Sequence, residues 1–132
     1  MIKYINKIEM IDAGQLASAT FFREGVRLAD SLPFVQLCTI GLSTFEISEK
    51  MESKNRIFHH TLTVKLAERL VLSGRKICFR LTAVDGTQYM FGSDSRPYPT
   101  VGQNESHPSD AGQPCAIMLD VTWKSTGFYP VL

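Results

Sequence analysis

His59 and His60 are the first residues whose types suggest chemistry, because paired imidazoles can hold a metal ion or shuttle a proton. Their spacing argues against a shared ion. The two lie in an alternating run, and adjacent side chains of a strand leave by opposite faces. That pattern puts His60 at the margin of a core and turns His59 outward. His107 has no neighbouring Cys or His, and Asp110 alone is a poor second ligand. Asp120 alternates with the apolar side of its run and reads as a solvated carboxylate. Cys38, Cys78 and Cys115 are odd in number, far apart and without a C-x-x-C pair. Such a set suits reduced thiols that act as small buried apolar fillers. No G-x-S-x-G elbow, phosphate-binding loop, dinucleotide fingerprint, H-E-x-x-H or EF-hand loop occurs. The sequence therefore assigns no catalytic, metal-binding or cofactor-binding residue, and neither an enzyme nor a cofactor is expected. A dyad built from distant residues would leave no such local trace.

The charges carry more information than the motifs. Fourteen Lys and Arg against thirteen Asp and Glu give 132 residues a net charge of only +1. That total argues against coating nucleic acid by bulk electrostatics. Residues 50–80 nevertheless hold eight basic residues against two acidic ones, a local +6, flanked by segments of −2 and −3. Solvated strand faces explain this in the simplest way. A basic surface for nucleic acid and a basic patch meeting an acidic patch on another copy are the functional readings. Nucleic-acid binding would want aromatic residues interleaved with the basic ones. Only Phe58 and Phe79 lie in the stretch, both on the apolar side of their runs, so self-association is favoured. Lys65, Arg69, Arg75 and Lys76 are its candidate partner-contacting residues.

Period-two alternation dominates the elements that would position these groups. Ile77, Phe79, Leu81 and Ala83 alternate with Cys78, Arg80 and Thr82, and Tyr89 and Phe91 with Gln88 and Met90. Asp85-Gly86 between them predicts a tight hairpin over 76–93, since both residues tolerate positive φ. Strands are also predicted through Phe58, His60, Leu62, Val64 and Leu66, and through Ile117, Leu119, Val121 and Trp123. Residues 44–47 and 35–40 are shorter candidates. The first eleven residues read as a strand with Ile2, Tyr4, Ile8 and Met10 on one side. Helical signal is confined to 13–19, with Asp12 as cap, and to 66–72, stopping at Ser73-Gly74. The expected class is mainly β, an antiparallel sandwich or small barrel with one or two short helical turns. One domain over 1–132 is long enough to bury a core without disulfide or metal staples.

Residues 95–114 hold four of the six prolines and few apolar residues. They are expected to form a long irregular loop projecting from one end of the sheet, and such loops are commonly functional. Arg96, Tyr98 and His107 within it are further candidate partner contacts. Asn104-Glu105-Ser106 matches the glycosylation sequon, which has meaning only in a secreted chain. The opening residues mix charges among apolar ones, so no signal peptide is expected. No run approaches the roughly 18 apolar residues of a spanning helix. The expected compartment is the cytoplasm, with no membrane partner.

One block resembles a known group. It runs from His60-Thr61-Leu62-Thr63-Val64 through Arg75–Leu81 and Asp85–Ser93 to Asp94-Ser95-Arg96-Pro97, and closes with the strand at 116–123. It is similar to small structural proteins of tailed-phage remnants in Bacteroides-type bacteria. In these a hairpin with a central D/N-G turn ends in a G-S-x-x-x-P element, followed by a polar segment and a last strand. The resemblance covers the C-terminal half. It implies a non-enzymatic virion or tail-associated protein that associates with itself or with other phage structural proteins, with no catalytic residue to carry over and no small-molecule ligand. A ligand-binding β-barrel or small enzyme is the alternative, with Tyr89, Tyr98 and His107 around a pocket at the mouth.

Overall fold

In a computed structural model, residues 2–21, 25–28, 32–67, 76–93, 98–106, 116–125, 127 and 129–131 are described. Alternating apolar residues give ten strands among them: β1 (Ile2–Asp12), β2 (Thr20–Phe21), β3 (Val26–Arg27), β4 (Val35–Gln36), β5 (Ser43–Glu52), β6 (Asn55–Leu66), β7 (Ile77–Ala83), β8 (Gln88–Phe91), β9 (Thr100–Ser106) and β10 (Ala116–Ser125). Antiparallel pairing in the order β8-β7-β1-β5-β6-β10-β9, with β4 beside β1, curls into a half-barrel. The fold is therefore mainly β, as the alternation predicts. Strands β2 and β3 form a separate two-stranded sheet.

The concave face is filled. Ile5, Ile8, Phe45, Leu62, Val64, Phe79, Leu81, Phe91, Leu119 and Val121 are all at most 1% exposed. Each large apolar side chain buried this way contributes about 1.5–3 kcal/mol. Phe45 and Phe91 meet edge to face with ring centroids 5.8 Å apart, and Phe79 meets Phe91 at 6.3 Å. The convex face differs between the two halves of the sheet. Over β1, β7 and β8 it carries a second core of Ile11, Ala13, Leu16, Val26, Cys78 and Met90. A 3₁₀ helix, Ala13–Ser18, and the β2–β3 pair cover it. Residues 129–131 close the β8 edge: Tyr129 O accepts from Met90 N at 2.9 Å, and Val131 N donates to Gln88 O at 2.8 Å. Over β5, β6, β10 and β9 the convex face is polar.

Several expectations change. In β1 the register shifts between Ile5 and Lys7, and this bulge breaks the strict alternation. Ile5, Ile8 and Ile11 become buried, while Ile2 and Tyr4 stand 58% and 57% exposed. Part of the supposed loop at 95–114 is a strand: β9 pairs with β10 from Thr100↔Thr122 to Ala116↔Ser106. Its polar residues suit an outermost strand with one wet face, which is why no apolar alternation announced it. Residues 94–97 and 107–115 lie outside the described residues, as does most of the helical candidate at 66–72, whose Leu66 ends β6. The candidate at 35–40 contracts to β4 and a single bridge, Thr39↔Leu66.

Only Gly86 of the Asp-Gly pair takes a positive φ, +91°. Gly86 N donates to Ala83 O and Ala83 N to Thr87 O, a three-residue loop with the glycine in the bulge. Asp85 instead accepts Thr87 N–H on Oδ1 at 3.0 Å, and this bond together with Lys3 holds its carboxyl below the usual range. Asp12 makes no side-chain cap on the 3₁₀ helix. Gly92, at φ +106°, is required where β8 ends: a Cβ there would lie 2.7 Å from Pro99 Cγ and 2.8 Å from Cys78 Sγ.

Candidate functional site

Among the described residues, three places hold polar groups that could act. The first is His60, at 1% exposure, in the core rather than at its margin. Its ring stacks on Phe45 at 6.0 Å and lies 4.7 Å from Trp123. Nε2 is 2.9 Å from Ser125 Oγ and 3.2 Å from Gly127 O. A carbonyl oxygen only accepts, so the proton is assigned to Nε2, and Ser125 Oγ–H donates to the same carbonyl at 2.5 Å. Nδ1 is then a bare acceptor with no partner. Burial pushes the imidazole down to about 4, so it is neutral at pH 7. Packed among aromatic rings and bonded through Nε2, the ring ties Ser125 and Gly127 to the core.

The second place is the half-buried ion pair under the 3₁₀ side of the molecule. Glu9, 7% exposed, takes two bonds from Arg80, Nε to Oε1 at 3.0 Å and Nη2 to Oε2 at 2.7 Å. The Arg80 guanidinium also lies 4.0 Å over the Phe34 ring. Arg80 belongs to the basic stretch, yet its charge is spent inside the fold. Arg56 is likewise paired, with Glu49 on the neighbouring strand. The +6 of residues 50–80 is thus not one continuous free surface among the described residues.

The third place is an open cleft of about 460 Å³ on the polar convex face. Register builds it. Thr61, Thr122 and Thr100 are direct cross-strand partners on β6, β10 and β9, and His59 faces Lys124 in the next row. Such neighbours share one face of a sheet, with strands about 4.8 Å apart. Tyr98 walls the cleft beside β9, and the strands run beneath it at His60 and Trp123, whose rings turn to the opposite face and pack in the concave core. His59 and His60 do leave by opposite faces, and among the described residues no group of three His, Cys, Asp or Glu could hold a metal ion.

The predicted partner contacts divide. Lys76 Nζ sits 5.8 Å over the Tyr98 ring, so these two come together beside the cleft. Lys65 is elsewhere: its carbonyl accepts Ile40 N–H at 2.8 Å at the far end of β6. Arg69, Arg75, Arg96 and His107 lie outside the described residues. Tyr89 is buried in the core, 5.7 Å from Phe45, and cannot line a mouth. Of the cysteines expected to be buried, Cys78 is, but Cys38 is exposed, because β4 ends before it; Cys115 is outside the described residues.

Sequence reasoning missed one surface. Ile2, Tyr4, Leu42 and Val84 are 57–59% exposed, and Ile40 is 46%. Ile2 and Tyr4 share the outer face of β1 ahead of the bulge. Val84 N donates to Tyr4 O at 3.1 Å, and Leu42 directly precedes the Ser43↔Ile5 pair. They therefore gather at one end of the sheet. The available signal was Ile2-x-Tyr4 itself, which reads as core until the bulge is known.

Among the described residues no helix is long and apolar enough to cross a membrane. Comparison with known protein families, curated proteins and solved structures returns no match for this chain.

Proposed function

We propose that this chain is a non-enzymatic assembly protein that associates with copies of itself through the apolar end of its sheet. It would be a cytoplasmic or virion-incorporated component of the kind the phage-remnant resemblance implies. The observation that carries this reading is the gathering of Ile2, Tyr4, Leu42 and Val84. Contiguous exposed apolar side chains on a polar protein mark contact sites. A second copy is the occupant that fits. An apolar patch is complementary to itself about a two-fold axis, and the adjoining Lys3–Asp85 pair places both signs of charge at its rim. The filled concave face also supports this reading over a barrel with a ligand in its lumen.

A patch of four or five side chains is at the small end of specific interfaces, so weak, concentration-dependent association is expected. Sedimentation velocity over a range of concentrations tests it. The wild-type chain should shift from monomer to dimer or larger species. Tyr4→Lys and Val84→Lys should stay monomeric with an unchanged melting temperature. A wild-type chain that stays monomeric at several hundred micromolar, on the order of the weakest specific contacts, would overturn the proposal.

A further inference from the structure

We infer that the convex-face cleft binds an acidic sugar, a small hydroxyl-rich molecule with one carboxylate or phosphate. This goes beyond the assembly reading and rests on different residues, two strands from Ile2 by register, so either can fail alone. The register puts three threonine hydroxyls, Thr61, Thr122 and Thr100, in one row across three strands. Each hydroxyl both donates and accepts, which matches the vicinal hydroxyls of a sugar and leaves neither side unpaired. Lys124 and His59 stand in the adjoining row and line the cleft with them.

Among the described residues no carboxylate lines the cleft. The nearest by register are Glu46, opposite Thr61 on β5, and Asp120, one row away opposite Thr63. Lys124 supplies the charge among the described lining residues, and it suits a single anionic group on the ligand. Tyr98 presents an amphipathic ring at the wall, apolar in body and polar at its tip. The volume of about 460 Å³ suits a small ligand. A single-stranded nucleic acid fits less well, because it needs successive stacking platforms. Trp123, at 4% exposure, is not available as a second one.

Isothermal titration calorimetry reads occupancy of the cleft directly. The full chain would be titrated with glucuronate, glucose 6-phosphate, glucose, inorganic phosphate and a short oligothymidylate. Saturable binding heats are expected with glucuronate or glucose 6-phosphate, at affinities about tenfold above that for glucose. Whichever of the two binds tighter identifies the anionic group. Lys124→Gln should bring the acidic sugars down to the level of glucose, and Thr122→Val should weaken all three. Lys54→Gln, on the distant hairpin turn, should change nothing. Both cleft positions are exposed, so circular dichroism should show the same fold and melting temperature. No saturable heat with any sugar, or tighter binding of phosphate or oligothymidylate than of the sugars, would overturn the inference. So would glucose binding as well as its acidic derivatives.

Discussion

The two halves of the convex face are built from the same kind of strand but put to opposite uses. Over β1, β7 and β8 the outward residues are Ile11, Cys78 and Met90, and the chain folds a 3₁₀ helix and a two-stranded sheet over them. Over β5, β6, β10 and β9 the outward residues are Glu46, Thr61, Thr122 and Lys124, and they stay exposed. In the covered half even the charges are internal, with Glu9 clasped by Arg80. The open half presents hydroxyls and unburied cations to solvent. The difference teaches where to look for function. Stability is concentrated where both faces are buried, and the side chains free to meet another molecule lie on the open half and at the apolar end of β1.

Breaking the covered half should have the largest effect. Met90→Ala should cost about 2–5 kcal/mol through the cavity left in the second core. Glu9→Ala leaves the Arg80 guanidinium beside Phe34 without its carboxylate. Arg80 keeps 23% of its side chain exposed, so losing its partner should cost about 1–3 kcal/mol. Asp120→Ala on the open half should change stability by less than about 0.5 kcal/mol. Urea titrations of the three variants decide the matter, and equal losses in both halves would erase the distinction.

The concave core between the two halves should be the acid-sensitive element. His60 has its pKa lowered to about 4 from 6.5, so the unfolded chain binds a proton that the folded ring refuses. Stability is then fully present above pH 6.5, falls as pH drops through that value, and levels off near 4. The loss is about 3 kcal/mol, from roughly 1.4 kcal/mol per unit. His60→Phe should flatten this slope in urea titrations between pH 7 and 4.

A smaller effect, and a stabilising one, belongs to the β5–β6 hairpin of the open half. Its turn residues, Ser53 and Lys54, have φ of 48° and 67°, a left-handed conformation costly for ordinary side chains. Replacing the pair by Asn-Gly should raise stability by about 1 kcal/mol without altering self-association. A loss of stability would mean that the turn side chains make contacts of their own.

The strands buried on one face were legible in the sequence because apolar alternation survives there. β6 and β10 follow it, and His60 and His59 part as it requires; β7, covered on both faces, keeps its alternating Ile77, Phe79, Leu81 and Ala83. What alternation cannot encode was illegible. The Ile5/Lys7 bulge moved Ile2 and Tyr4 from core to surface, and with them the apolar patch. β9 carries too few apolar residues to look like a strand, so its Thr100 could not be aligned with Thr122 and Thr61. The Ser-Lys turn gave none of the usual glycine or asparagine signal. Glu9 and Arg80 are 71 residues apart, and only the β1–β7 register joins them.

The account stands most directly on where one copy meets another. Backbone amide shifts of the wild-type chain, followed by NMR from dilute to concentrated solution, would locate that surface. The changes should be confined to residues 2–4, 40–43 and 84, and the Thr61, Thr122 and Thr100 row should stay still. Shifts centred on the polar face or on β9, or no concentration dependence at all, would contradict assembly through the apolar end.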